Sequence, residues 1–255
     1  MESPPLRIYL LGPVCLEWAN RVTDESSFGS RQARILFAYL VAERDQPTPR
    51  ETLAELLWPG ETPVAWESAM LSLMSKLRRF LRTASGPAPP SISNQFGCYQ
   101  LKLPAQTWID LEAAQNAVDE AEGYLRSREF GAAWSAANVA LAITRRPFLP
   151  GEPIEWAERK RSELQNLQVR ALDSYISVCL NTDQAVLAVE LANQLIALEP
   201  YRESGYRRLM LAHNASGNRA EALRVYQRCR ELLSEELGVD PSPETEGIYR
   251  ELLAG

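Results

Sequence analysis

A self-similarity at an offset of 34 residues limits most strongly what this chain can become. It places Ala188 on Ala222, Leu195 on Cys229 and Leu198 on Leu232. Small and apolar residues recurring at that period mark a helical hairpin stacked on a second copy of itself. One hairpin alone cannot bury its apolar face, so neighbours must supply the core. The surrounding text agrees. After Ile109-Asp110, apolar residues recur at helical spacing to the C-terminus, predicting helices over about 111–126, 130–144, 154–181, 184–198, 202–216, 219–236 and 242–253. Pro200 stands where one repeat would close, and Gly217–Tyr226 has the small-residue, Tyr-bearing pattern of such a repeat's second helix. Glycine is sparse while alanine and leucine are dense, which favours helix over strand.

The N-terminal part reads differently. Leu6–Gly12 has strand character, Gly12-Pro13 breaks it and Val14–Trp18 resumes it, as a hairpin or small sheet. Asp24–Ser30 is polar and reads as a loop. Ser30 can cap a helix over about 31–43 that places Ala33, Leu36, Phe37, Leu40 and Val41 on one face. Pro47 and Pro49 stop it. A short helix follows over Arg50–Leu57 and ends at Trp58-Pro59-Gly60. A third runs from about Val64 to Arg82, roughly 28 Å at 1.5 Å per residue. Ser85–Pro90 is a turn, and Ser91–Leu103 reads as two short strands. Three helices and then a β-hairpin is the order of a winged helix-turn-helix. The expected fold is therefore mainly α: an α+β winged-helix domain over 1–104 with a small N-terminal sheet, then an all-α domain over 105–255.

Charge supports this division. The net −6 of the whole chain suits a nucleic-acid binder poorly, yet residues 1–104 carry 11 Lys+Arg against 10 Asp+Glu, whereas residues 105–255 carry 16 against 23. An acidic half can repel DNA while the other half binds it.

Other classes lose support. The single His213 lies in a repeat helix and reads as a packing residue, not a catalytic base. No phosphate-binding loop, nucleophile elbow or HExxH occurs, and the carboxylates fall at solvent-face spacing. Neither catalytic residues nor a cofactor is expected. Cys15, Cys98, Cys179 and Cys229 lie far apart with no CxxC pair, so no metal site is expected and reduced thiols are. Met1–Pro5 lacks a basic signal-peptide start, and the longest apolar runs fall short of the about 20 residues of a membrane span. A cytoplasmic protein without membrane contact is the expectation.

Several blocks carry a family resemblance. They include Arg31–Leu40, Leu53–Pro59, Leu77–Leu81 and Tyr99–Pro104, then Pro147–Gly151, Glu199–Glu203, Arg208–His213, Ala220–Leu233 and Glu236–Thr245. On these the chain resembles the SARP (antibiotic regulatory protein) transcriptional activators of bacteria, which join an OmpR-type winged helix to a bacterial transcriptional activator domain (BTAD) of tetratricopeptide type. The resemblance covers nearly the whole chain and implies the small, stand-alone form. It also implies binding to direct repeats in double-stranded DNA near promoters, recruitment of RNA polymerase, and a helical domain that aids dimerisation.

In a helix-turn-helix the second helix of the pair enters the major groove, where base edges can be read. Here that is 64–82. Its apolar stripe is Trp66, Met70, Leu73, Met74, Leu77 and Leu81. The other face carries Ser68, Leu71, Ser72, Ser75, Arg78, Arg79 and Arg82, with Lys76 at its edge. By spacing alone these residues fit a solvated face equally well; the winged-helix context favours DNA contact. Arg31, Arg34, Arg50, Asn94 and Gln95 are candidates for phosphate contacts, which position a protein on the duplex. Arg34 is open to a second reading, pairing with a nearby acid, and Trp58 reads as a core plug. By register on Leu77–Leu81, the resemblance implies an Arg, usual in the family, where this chain has Leu71, and a Tyr-Arg, frequent in the family, where it has Tyr99-Gln100. Losing two cations flattens the salt dependence of binding. The alternative function is therefore a protein-binding tetratricopeptide adaptor whose winged helix no longer grips DNA.

Overall fold

The computed structural model describes residues 5–86 and 89–254. Most of Met1–Pro5 and the middle of the turn expected over Ser85–Pro90 lie outside the described residues. The chain forms two compact units, residues 1–113 with 146–163, and residues 114–145 with 164–255. The boundary expected at Pro104 differs from this division, because residues 146–163 pack with the N-terminal elements.

The first unit opens with β1 (Arg7–Tyr9), β2 (Cys15–Trp18) and β3 (Arg21–Thr23). These pair antiparallel in sequence. Residues Ala19 and Asn20 turn between β2 and β3 with φ of 49° and 63°, a type I′ hairpin. A 3-10 turn over Glu25–Phe28 replaces the expected loop and buries Phe28, whose ring packs on Phe37 and Phe80. Then come α1 (Arg31–Ala42), β4 (Thr48–Pro49), α2 (Arg50–Leu57), α3 (Trp66–Ala84), β5 (Ser91–Gln95), β6 (Cys98–Lys102) and β7 (Trp108–Ile109). Ser30 caps α1 as expected: its hydroxyl accepts from the Ala33 N–H at 3.2 Å.

Strands β3, β4 and β7 leave no mark in the sequence pattern. They are two or three residues long, too short for a periodic signal. β7 pairs parallel to β1 and completes a sheet of order β3-β2-β1-β7. The registers Ile8↔Leu16 and Ile8↔Ile109 bring three buried side chains onto one face. β4 adds to the hairpin of β5 and β6 in a second sheet of order β4-β6-β5. The three helices and this hairpin make a winged helix-turn-helix.

Two sets of bonds close the first unit. Asp110, buried at the start of α4 (Asp110–Arg126), accepts backbone N–H groups of Leu10 and Leu11 at 2.8–3.0 Å, so a carboxylate ends strand β1. Residues 146–163 contribute the buried Phe148, Leu149, Ile154 and Trp156. Phe148 bridges Leu11, and the Trp156 indole donates to Glu43 Oε1 at 2.8 Å. Arg161 holds this segment's bend by donating to the carbonyls of Phe148, Leu149 and Glu152.

The second unit is all helical. It contains most of α4, then α5 (Phe130–Thr144), the greater part of α6 (Glu155–Asn181), α7 (Ala185–Leu198), α8 (Glu203–Ala215), α9 (Arg219–Leu237) and α10 (Pro243–Ala254). The 34-residue offset proves structural: Ala188, Leu195, Ala222 and Cys229 are all buried in one core. Gly205 explains how α7 and α8 come so close. A Cβ there would stand 2.9 Å from the Ile196 side chain, so only glycine fits without displacement. Tyr226 and Tyr249 stack at 3.9 Å between α9 and α10. Gly238 adopts the left-handed conformation (φ 68°) that ends α9. All four cysteines are free.

Candidate nucleic-acid interface

Helix α3 has two faces that share almost nothing. Met70, Leu73, Met74, Leu77, Phe80, Leu81 and Ala84 are buried in the winged-helix core. Phe80 joins the stripe expected from the sequence, and Trp66 is only half-buried. On the opposite side Ser68, Leu71, Ser72, Ser75, Lys76, Arg79 and Arg82 are all exposed. At 100° per residue they fall on one stripe of the helix. The only acid in α3 is Glu67, in its first turn. Among the described residues, Lys76, Arg79 and Arg82 make no side-chain ion pair, so their charges face solvent unneutralised. Ser68 bonds locally, its hydroxyl donating to the Ala65 carbonyl at 2.9 Å.

The sequence candidates divide on this geometry. Arg78 is half-buried and donates twice to the Ile92 carbonyl, at 3.2 and 3.3 Å, tying α3 to β5. Arg50 pairs with Glu51 at 2.9 Å and Glu67 at 3.1 Å, and lies 5.8 Å above the Trp66 ring. Trp58 is half-buried. Arg31 and Arg34 converge on Glu152, whose side chain is 3% exposed. Burial alone would raise the carboxyl pKa there; the hydrogen bonds and charges of the two arginines outweigh it and hold it below the ordinary range. Arg34 also reaches Glu25 at 3.3 Å. The pairing reading of Arg34 is thus what the geometry contains, and Arg31 shares it.

The wing carries the remaining candidates. Asn94 and Gln95 are exposed at the end of β5, where Gln95 pairs with Cys98 across a two-residue turn. That turn is Phe96-Gly97, with φ of 52° and 79°. Both central residues of a type I′ turn need positive φ, which glycine and asparagine adopt readily and phenylalanine does not. Phe96 is nonetheless fully exposed at the tip. The turn is anchored from behind by the Arg50 N–H, which donates to the Gly97 carbonyl at 3.0 Å. Gln100 is half-buried, and its side-chain amide donates to the Arg44 carbonyl at 3.0 Å.

Two further candidates for the interface escape the sequence pattern. One is Phe96. The other is Arg21 on β3, which with Lys76 and Arg79 lines a cavity of about 440 Å³ floored by Phe28 and Phe80. Three cations converge there with no carboxylate in the lining. Recognising Arg21 requires strand β3, which its three residues do not announce.

Elsewhere, among the described residues no group of three or more His, Cys, Asp and Glu side chains could hold a metal ion. No helix there is long and apolar enough to cross a membrane. His213 is half-buried within α8.

Comparison with known proteins places this architecture. The family model for the bacterial transcriptional activator domain matches residues 109–253. The regulatory protein AfsR of Streptomyces coelicolor is 31% identical over 99% of this chain, which spans only 24% of AfsR. The regulatory protein DnrI of Streptomyces peucetius is 25% identical over 97% of this chain and 92% of its own length. Among solved structures, Mycobacterium tuberculosis EmbR in complex with a low-affinity phosphopeptide superposes with a TM-score of 0.88. It is 24% identical and covers 99% of this chain and 66% of EmbR. The winged helix followed by a tetratricopeptide-like unit is thus a shared fold, and the chain belongs to the SARP family of bacterial transcriptional regulators, built around the bacterial transcriptional activator domain.

Proposed function

We propose that this chain is a sequence-specific DNA-binding activator that sets α3 into the major groove of promoter direct repeats and recruits RNA polymerase. One observation carries the reading. The exposed stripe of α3 presents serine hydroxyls and three cations with no acid partner, on a helix whose other side is locked in the core. Serine can bond several base edges, and the cations can meet guanine or phosphate. The Arg21–Lys76–Arg79 cavity offers a seat for a backbone phosphate beside the groove. Phe96 supplies an apolar wedge at the wing tip, the kind of side chain that enters between base steps in a minor groove. Direct repeats would seat two copies in tandem, and work on promoters places the protein in the cytoplasm.

The test is a mobility shift with genomic fragments at low salt, followed by genome-wide identification of bound DNA. The expected result is a discrete complex on fragments with direct repeats, abolished when Arg79 and Arg82 become alanine. Binding nowhere above a random duplex would overturn the reading.

A further inference from the structure

The second unit is acidic, with 12 arginines against 17 aspartates and glutamates. Its arginines are not spread evenly. Five of the twelve, Arg126, Arg170, Arg202, Arg207 and Arg208, line one open cavity of about 580 Å³, while only Glu122 and Asp173 of the seventeen acids do. The arginines come from α4, α6, the start of α8 and α8 itself, so the fold gathers them from across the unit.

The five differ in how far they are neutralised. Arg170 bonds Glu122 and Asp119 at 2.7–2.9 Å, and Arg208 clasps Asp173 with two bonds at 2.7 and 2.8 Å. Arg207 meets only the hydroxyls of Ser242 and Thr245, although the nearby Glu203 offsets part of its charge. The side chains of Arg126 and Arg202 make no hydrogen bond or ion pair among the described residues, although Arg126 lies near enough to Asp119 to favour its charged form, and both are exposed. The groove thus combines guanidiniums fixed by carboxylates with guanidiniums that no carboxylate holds. Side chains of Ser174, Ser177 and Ser204 add polar lining, against a short apolar strip that includes Val169 and Leu211.

We infer that this groove binds an acidic peptide segment of a protein partner, with Arg126, Arg202 and Arg207 gripping its carboxylates. The volume falls in the range of about 300–1,000 Å³ that takes a ligand, but small-molecule pockets are mostly apolar and this one is not. A planar guanidinium fork matches a carboxylate. A concave helical-repeat surface suits an extended chain. The surrounding negative charge repels any long polyanion such as DNA, so only a short acidic segment that fits within the arginine-lined groove escapes most of that repulsion.

The experiment uses the whole chain and a fluorescein-labelled octaglutamate, with oligolysine and oligoserine peptides as controls, followed by anisotropy at about 50 mM salt, where charge is weakly screened. Octaglutamate alone should bind. The variant R126E/R202E should weaken it by about tenfold or more. R224E/R230E, which changes the net charge equally outside the groove, should leave affinity within about twofold. Both arginines of the first pair are exposed and unpartnered, so a thermal melt should be unaltered. Binding of promoter DNA by R126E/R202E should also be unaltered, which separates this site from the α3 interface. Equal weakening by the two variants, no binding of octaglutamate, or complete displacement by citrate or inorganic phosphate at constant ionic strength would each overturn the inference.

Discussion

Arginines do different work in the two units. On α3, Arg79 and Arg82 stand on a convex rod, exposed and without acids beside them. In the second unit they line a concavity, and part of the set is held by Glu122, Asp119 and Asp173. A convex cationic stripe keeps its charge available at long range and can follow a phosphate backbone. A concave, partly neutralised cluster selects a ligand small enough to enter. The first unit repeats the contrast on a smaller scale, because Arg31 and Arg34 are consumed by Glu152 while Arg79 and Arg82 are free. Residue type therefore says little about role until its partners are known.

The largest effect should come from reversing the convex stripe. K76E/R79E/R82E should reduce promoter-DNA affinity by more than about a hundredfold and flatten the dependence of log K on log salt by about 0.9 for each phosphate no longer neutralised. Fluorescence anisotropy across a salt series reads both quantities. Unchanged affinity would show that the stripe is an ordinary solvated face.

The same contrast explains what the sequence could disclose. The α3 stripe was legible because its residues are contiguous and periodic: the same spacing that buries Met70, Leu73 and Leu77 exposes Ser72, Ser75 and Arg79. The helical unit was legible for the same reason, and its helices start and end within a residue or two of expectation. The arginine groove was not, since positions 126, 170, 202, 207 and 208 meet only through tertiary packing. The ion pairing of Arg31 and Arg34 was hidden likewise, their partner lying more than a hundred residues away at Glu152. The wing hairpin was expected, but the exposure of Phe96 and its positive φ belong to the turn geometry.

The consumed arginines give the next largest effect. Glu152→Gln removes the buried charge that Arg31 and Arg34 share. It should destabilise the first unit by about 2–3 kcal/mol, less than the about 3–5 kcal/mol of a fully buried pair because Arg31 is 56% exposed. The depressed carboxyl pKa sets the sign of the pH effect. The contribution is complete above the ordinary value of 4.5 and is lost as pH falls through the lower folded value. Wild type and variant should differ most near neutral pH and converge in acid. Urea titrations followed by tryptophan emission will report it, because Trp18, Trp58, Trp66, Trp108 and Trp156 all lie in the first unit. The salt slope of DNA binding should not move; a change would mean that Arg31 or Arg34 reaches phosphate after all.

The wing tip sets stability against binding. Phe96→Asn places a residue suited to the left-handed conformation in the turn, and should raise stability by about 1 kcal/mol in a thermal melt. If the ring enters the duplex, the same change should weaken promoter binding by about threefold to tenfold. A gain in stability with unaltered binding would leave the exposed ring without a part in DNA contact.

The smallest change sharpens the reading of the stripe itself. Leu71 is the one large apolar side chain exposed on the solvent-facing side of α3. If it lies over the backbone, Leu71→Arg adds one bond to phosphate. Affinity should then rise about threefold on every duplex alike, and the salt slope should steepen by about 0.9. If it meets a thymine methyl, the same substitution should lower affinity on the direct repeat and raise it on random DNA, reducing the ratio between them. Measuring both duplexes across the same salt series therefore tells a positioning role from a reading one, at a position where the stripe is otherwise hydroxyl and charge.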